Sequence, residues 1–192
     1  MDQGDLLRLI VDALEDLQVP YMVVGSIASG AYGEPRMTQD IDIVVDLRSG
    51  NVEGLCRRFA SPDFHVEPDA VRQAIRTRGQ CNIIHGASGN KVDLILLKDT
   101  AWNARQFERR QRLEIIKGRQ TCIATPEDII LSKMLWYKEG GSEKHLRDVA
   151  GILKVSGDAV DRQYVSLWAG KMGLADIWQS ILRRLGLQAS QE

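Results

Sequence analysis

The chain predicts an α/β (α+β) protein: a mixed β-sheet flanked by helices, followed by a C-terminal helical bundle. Three observations carry this. Short apolar runs of strand length, Tyr21–Val24, Ile41–Asp46 and Val92–Leu97, alternate with segments whose apolar residues recur at helical spacing. From Pro126 onward the pattern is helical, broken at Gly140-Gly141-Ser142 and around Gly157. The 192 residues suffice for one core with a helical appendage. The expected division is a core over residues 1–124 and a helical region, packed on it, over 125–192.

The elements follow in order. Leu6, Leu9, Ile10, Ala13, Leu14 and Leu17 line one face of a helix from Asp5 to Leu17. Tyr21–Val24, after Pro20, has the composition of a buried strand. Gly25 permits a sharp turn and a close backbone approach to a ligand. Ser26 then stands at the start of a short helix ending at Tyr32, where free N–H groups and the helix dipole favour an anion. The same two residues also make an ordinary helix cap. Further elements are expected as a helix near Val52–Phe59, a strand at Phe64–Val66 and a helix from Pro68 to about Arg76. A hairpin joins Asn82–His85 to Val92–Leu97 through Ala87-Ser88-Gly89-Asn90. Residues 101–124 suggest a helix and then strands at Leu113–Ile116 and Thr121–Ala124. Thr125-Pro126-Glu127-Asp128 opens an amphipathic helix reaching Tyr137, and the tail after Gly186 is expected to fray.

Within this frame the acids stand out. Asp40, Asp42, Val44 and Asp46 alternate with Ile41, Ile43 and Val45, so Asp40 and Asp42 project from one face of a strand. Two carboxylates so placed repel each other, and a hard cation between them reverses the sign. Mg²⁺ is held typically by one or two carboxylates and substrate phosphates. Asp46 suits a solvated strand end. Asp93 lies in the apolar run KVDLILL, where an unpartnered acid is costly. Either it bonds a neighbouring backbone group or arginine, or its strand lies beside that of Asp40 and completes a three-carboxylate cluster.

The combination of hydrophobic-Gly25-Ser26, Asp40-Ile41-Asp42 and a third acid, Asp93, resembles the DNA polymerase β-type nucleotidyltransferase superfamily. More narrowly, Arg36-x-Thr38-x-Asp40-x-Asp42, Lys91-Val92-Asp93, and TPEDIILSKMLWY followed by Leu146-Arg147-Asp148 resemble small bacterial nucleotidyltransferases, including the toxins of abortive-infection toxin–antitoxin systems. The resemblance covers roughly residues 5–155. It implies the nucleotidyltransferase fold and Mg²⁺-dependent transfer of a nucleoside monophosphate from an NTP such as ATP to an acceptor hydroxyl. Asp40 and Asp42 would bind two Mg²⁺ ions; Asp93 would bind the catalytic one and help deprotonate the acceptor. Gly25 and Ser26 would hold the β- and γ-phosphates. Lys133 would reach the triphosphate, the alternative being a solvent-facing helical lysine. Arg36 would contact phosphate or acceptor, or be a loop arginine. Arg147 and Asp148 resemble a pair that braces the helical part. The implied acceptors are tRNA or a protein hydroxyl, with aminoglycosides the acceptors of other relatives. A cognate antitoxin is the further partner implied. A nucleotide-binding regulator without transfer is the reading from a different class.

Composition bounds these readings. Acids and bases nearly balance, 26 against 25, so no global basic field announces nucleic acid. Arg105, Arg109, Arg110, Arg112, Lys117 and Arg119 form one basic group, and Arg72, Arg76 and Arg78 another. These would suit an RNA backbone, or simply a solvated face. Cys56, Cys81 and Cys122 are widely spaced and expected to be reduced thiols of a cytoplasmic protein. His65, His85 and His145 form no ligand motif, and Trp102, Trp136, Trp168 and Trp178 are expected in the core. Asp2, Asp5 and Arg8 interrupt any secretory segment, and no apolar run has membrane-spanning length, so no membrane partner is expected.

Overall fold

The structure is a computed structural model describing residues 1–60 and 62–188. The tail beyond residue 188, expected to fray, lies outside the described residues. The chain falls into two compact units, one of Met1–Val24 with Met37–Ala124, the other of Gly25–Arg36 with the residues from Thr125 onward.

The first unit carries a seven-stranded mixed sheet. Its strands are β1 (Tyr21–Val23), β2 (Asp40–Val45), β3 (Phe64–His65), β4 (Gln80–His85), β5 (Lys91–Leu96), β6 (Gln111–Ile116) and β7 (Arg119–Ile123). They lie in the order β3-β4-β5-β2-β1-β7-β6. β2 and β5 are parallel, as are β1 and β7; the other neighbours are antiparallel. The expected hairpin is therefore present, and its second strand lies beside the Asp40 strand.

Alternation fixes the faces. Ile41, Ile43 and Val45 of β2 stand in register with Val92, Leu94 and Leu96 of β5, and all six are buried. Burial of each contributes about 1.5–3 kcal/mol, which strongly disfavours a one-residue slip of either strand. The opposite face then has to present Asp40, Asp42 and Val44 beside Lys91, Asp93 and Ile95. Helices α1 (Gln3–Asp16), α3 (Val52–Arg58), α4 (Pro68–Thr77) and α5 (Ala101–Arg109) complete this unit. α1 buries Leu6, Ile10 and Leu14, and its N-cap Asp2 accepts the Asp5 N–H. Glu15 near its end accepts from Tyr21 Oη, Arg112 and Arg119, tying α1 to the β6–β7 hairpin.

The second unit is helical: α2 (Gly25–Tyr32), α6 (Pro126–Gly140), α7 (Glu143–Ser156), α8 (Arg162–Lys171) and α9 (Ala175–Leu185). α6 begins as the sequence predicts, with Thr125 as N-cap and Pro126 in the first turn, and stops at Gly141, whose φ of +67° suits glycine. Its first turns are buried, polar residues included, and these are satisfied. Thr125 Oγ1 and Tyr164 Oη donate to the two Asp128 oxygens at 2.9 Å each, and Glu127 accepts the Asp161 N–H at 3.0 Å. Among the described residues no helix is long and apolar enough to cross a membrane.

The tryptophans correct an expectation. Only Trp178 is fully buried, Trp102 and Trp168 are partly exposed, and Trp136 is 54% exposed beside His145.

Candidate active site

The acids of the sheet unit come together because β2 and β5 are neighbours. Asp42 stands directly opposite Asp93, and Asp40 opposite Lys91. Residues in register on adjacent strands share a face, so the three carboxylates point the same way. Asp40 is exposed and Asp42 half-buried at the strand's edge, whereas Asp93 is buried.

Asp93 does have partners. Lys91 Nζ lies 3.0 Å from its Oδ2 and 3.5 Å from Asp40 Oδ1, so one ammonium bridges two of the acids. The hydrogen bond to Asp93 raises the Lys91 pKa above its ordinary value and keeps it charged. With its amide nitrogen turned to the carboxylate, Asn82 of the neighbouring β4 donates to Asp93 Oδ1 at 2.8 Å. The strand of Asp93 does lie beside that of Asp40, and the partners of Asp93 are a lysine and an amide rather than an arginine or a backbone group. Lys91 could have been found from its spacing, two residues before Asp93 and hence on the same face. Asn82 could not, because antiparallel register is invisible in sequence.

These carboxylates offer only hard oxygen donors, and the bridging ammonium marks their common face as one that accommodates positive charge. Among the described residues no three His, Cys, Asp or Glu groups are placed to hold an ion by themselves. Hard oxygen donors of this kind suit a hard divalent ion only where further oxygen ligands complete its shell.

The helical unit assembles the other candidates. Gly25 has φ +66°, the left-handed conformation that a turn straight into α2 requires of it. Ser26 Oγ accepts a short hydrogen bond from Arg36 Nη2. Arg36 also pairs with Asp148 of α7, Nε to Oδ1, at 3.0 Å. Lys133 of α6 reaches Asp148 Oδ2 at 2.6 Å, with both side chains over 90% buried. Lys133 is thus no solvent-facing lysine, and Arg36 is no free loop arginine. Asp148 joins two of the predicted nucleotide-binding residues. Burial raises its pKa, but the hydrogen bonds from Arg36 and Lys133 outweigh that and hold it below the usual carboxylate range. His145, near this cluster, is pushed down by burial and by the Lys133 and Lys144 charges.

The remaining sequence candidates have local roles. Asp46 pairs with Arg48 and more distantly with Arg78. His85 is buried, its Nδ1 bonded to Ser88 and its ring against Phe64. The cysteines are unpaired thiols, and burial pushes Cys81 up to about 11. Many members of the basic groups already have acidic partners. Arg112 and Arg119 pair with Glu15, Arg119 also with Asp12, Arg72 with Glu53 and Asp69, Arg78 with Asp46 and Asp99, and Arg105 with Glu108.

Comparison with solved structures now bears on this arrangement. The crystal structure of ANT(2'')-Ia in complex with adenylyl-2''-tobramycin matches at TM-score 0.58 and 14% identity, over 93% of this chain and 97% of that one. An antigenic nucleotidyltransferase-like protein from Paracoccidioides brasiliensis matches at 0.57 and 20% identity, over 94% and 91%. The chain has the nucleotidyltransferase fold. The lincosamide antibiotic adenylyltransferase LnuA, bound to lincomycin, shares it at TM-score 0.53 and 16% identity, over 81% of this chain and 98% of that one. No family model and no curated protein matches the sequence. Identities this low establish the nucleotidyltransferase fold; any role for Asp40, Asp42 and Asp93 has to be argued from their chemistry.

Proposed function

We propose that this chain transfers a nucleoside monophosphate from an NTP to an acceptor hydroxyl. The observation that carries the reading is the Asp42–Asp93 pair, in register on adjacent parallel strands with Asp40 on the same face, in a nucleotidyltransferase fold. Three acids on one face attract positive charge, and Lys91 already supplies one such charge to Asp40 and Asp93.

In the reaction the acceptor oxygen forms a bond to the α-phosphorus as the bond from that phosphorus to the bridging oxygen breaks, and pyrophosphate leaves. Asp93 would bind the catalytic ion and help take the acceptor's proton. Asp40 and Asp42, with Asp93, would hold the divalent metal, whose charge would stabilise the attacking and leaving oxygens. The Gly25 backbone, Ser26, Arg36 and Lys133 form the phosphate-binding set. Asp148 fixes two of its cations at defined positions, so that less ordering remains to be done at binding.

The acceptor we favour is a small hydroxylated molecule. Acidic partners already occupy many of the arginines that would meet an RNA backbone, and the chain's net charge is −1. ANT(2'')-Ia and LnuA, with the same fold, were solved with an adenylylated aminoglycoside and a lincosamide. The test is incubation with each α-³²P-labelled NTP and Mg²⁺ against a panel of aminoglycosides and lincosamides, tRNA and total protein. Label in a small-molecule product is expected. Label in a tRNA or protein band instead reassigns the acceptor and restores the toxin-like reading. No transfer to any pool, with pyrophosphate release absent, overturns transfer itself.

A further inference from the structure

We propose that Lys91 is the resident cation of the acidic face and makes divalent-metal entry conditional on nucleotide. The inference rests on the reading of Asp40, Asp42 and Asp93 as metal-binding carboxylates. It concerns a residue to which that reading gives no role.

The geometry is specific. Lys91 opens β5 opposite Asp40 and two residues before Asp93, so its side chain leaves the sheet on the acidic face. Its ammonium lies 3.0 Å from Asp93 and 3.5 Å from Asp40. The first contact is the stronger one. Asp93 is 12% exposed and weakly screened, whereas Asp40 is 53% exposed and its ion pair is worth little. Asn82 donates to the other Asp93 oxygen, so each oxygen already has a partner.

A metal ion that arrives alone and takes Asp93 as a ligand displaces Lys91 from it and leaves a lysine ammonium beside a dication. That is a like-charge encounter offset only by the exposed Asp40. A metal–nucleotide complex changes the balance, because its polyphosphate supplies anionic oxygens to which the released ammonium can pair. The expected consequence is positive coupling: nucleotide strengthens metal binding more than shared coordination alone would, and removing the lysine charge weakens the coupling from the metal-alone side.

Mn²⁺ binding, followed by loss of the free-ion EPR signal, tests this with and without a non-hydrolysable α,β-methylene NTP. Lys91→Met should bind Mn²⁺ alone at least about fivefold more tightly than wild type and show correspondingly smaller nucleotide coupling, fivefold being the lower end of ordinary site–site coupling. Lys91→Arg keeps the charge and should behave as wild type, which separates loss of charge from loss of packing. Equal or weaker Mn²⁺ binding by Lys91→Met without nucleotide, while both proteins bind Mn²⁺ with it, overturns the role of Lys91 and leaves the metal site standing. Mn²⁺ bound by neither protein, even with nucleotide, overturns both.

Discussion

Asp42 faces Asp93 across adjacent strands, and a carboxylate opposite a carboxylate costs a few tenths of a kcal/mol or more in the absence of a cation. Asp42→Asn removes that repulsion without changing shape. Its unfolding free energy in urea should stay within about 1 kcal/mol of wild type, the centre of the range for single substitutions. Nucleotidyl transfer should fall about 10²–10³-fold, the typical cost of deleting one electrostatic contact to a transition state. A parallel loss of stability and activity would point instead to a structural carboxylate. Asp148 is the opposite case, an acid whose neighbours are cations. Asp148→Asn leaves Arg36 and Lys133 without their carboxylate and should cost about 3 kcal/mol, as breaking a buried ion pair does. Because the folded pKa of Asp148 is depressed, its contribution is full above the ordinary carboxylate value of about 4 and disappears as pH falls through the lower folded value. Denaturant melts of wild type and Asp148→Asn should therefore differ most at neutral pH and converge in acid. A gap that persists unchanged at low pH would show that the loss is steric.

Packing of elements makes its own demands. Beyond the end of α2, Gly33 lies against α7 so closely that an added Cβ would come 2.7 Å from the Ile152 nitrogen and 2.8 Å from the Gly151 carbonyl carbon. Both are backbone atoms and cannot rotate away. Gly33→Ala should destabilise by about 1–3 kcal/mol, the usual cost of overpacking, whereas Gly50→Ala, with nothing within 4 Å, should be neutral or slightly stabilising. Equal midpoints for the two variants would deny the tight crossing. This approach illustrates what the sequence could not reveal. The elements themselves were legible: α6 was expected from Thr125-Pro126 to Tyr137, before a break at Gly140-Gly141-Ser142, and it runs Pro126–Gly140, three residues further. β2 was expected at Ile41–Asp46 and runs Asp40–Val45. Alternation also placed Asp40 and Asp42 on one face, since it depends only on a period of two. Of the long-range choices only the neighbourhood of the Asp40 and Asp93 strands was expected, and their direction and register were not legible. That β5 lies parallel to β2 with Asp42 opposite Asp93 depends on which strands pair, and Asn82 reaches Asp93 only through antiparallel register. The burial of Lys133 and the pairing of the arginines depend on acids such as Asp148 and Glu15, up to 112 residues away in the chain.

For the molecule as a whole, the reading makes its demand through linkage. Nucleotide and metal that bind only the folded chain must raise its stability, by about 2.7 kcal/mol at a hundredfold excess over Kd. In a chain of 192 residues that corresponds to roughly 5–10 °C in Tm, at about 2–4 °C per kcal/mol. The shift should appear with a non-hydrolysable NTP and Mg²⁺ together, and it should be largely lost when a chelator replaces the metal. Asp42→Ala should abolish it. The variant tests more than the ligand does, because a polyanion can stabilise any protein with clustered arginines, and this chain has several. Such adventitious binding would survive both the chelator and Asp42→Ala, and would fall steeply with added salt. Binding that uses the acidic face needs the carboxylate and the metal together, since the single Lys91 charge is already shared by two of the three acids that a triphosphate would meet. A shift that survives chelation and the variant would therefore refute the site, and one that vanishes with either would tie nucleotide binding to the β2–β5 face.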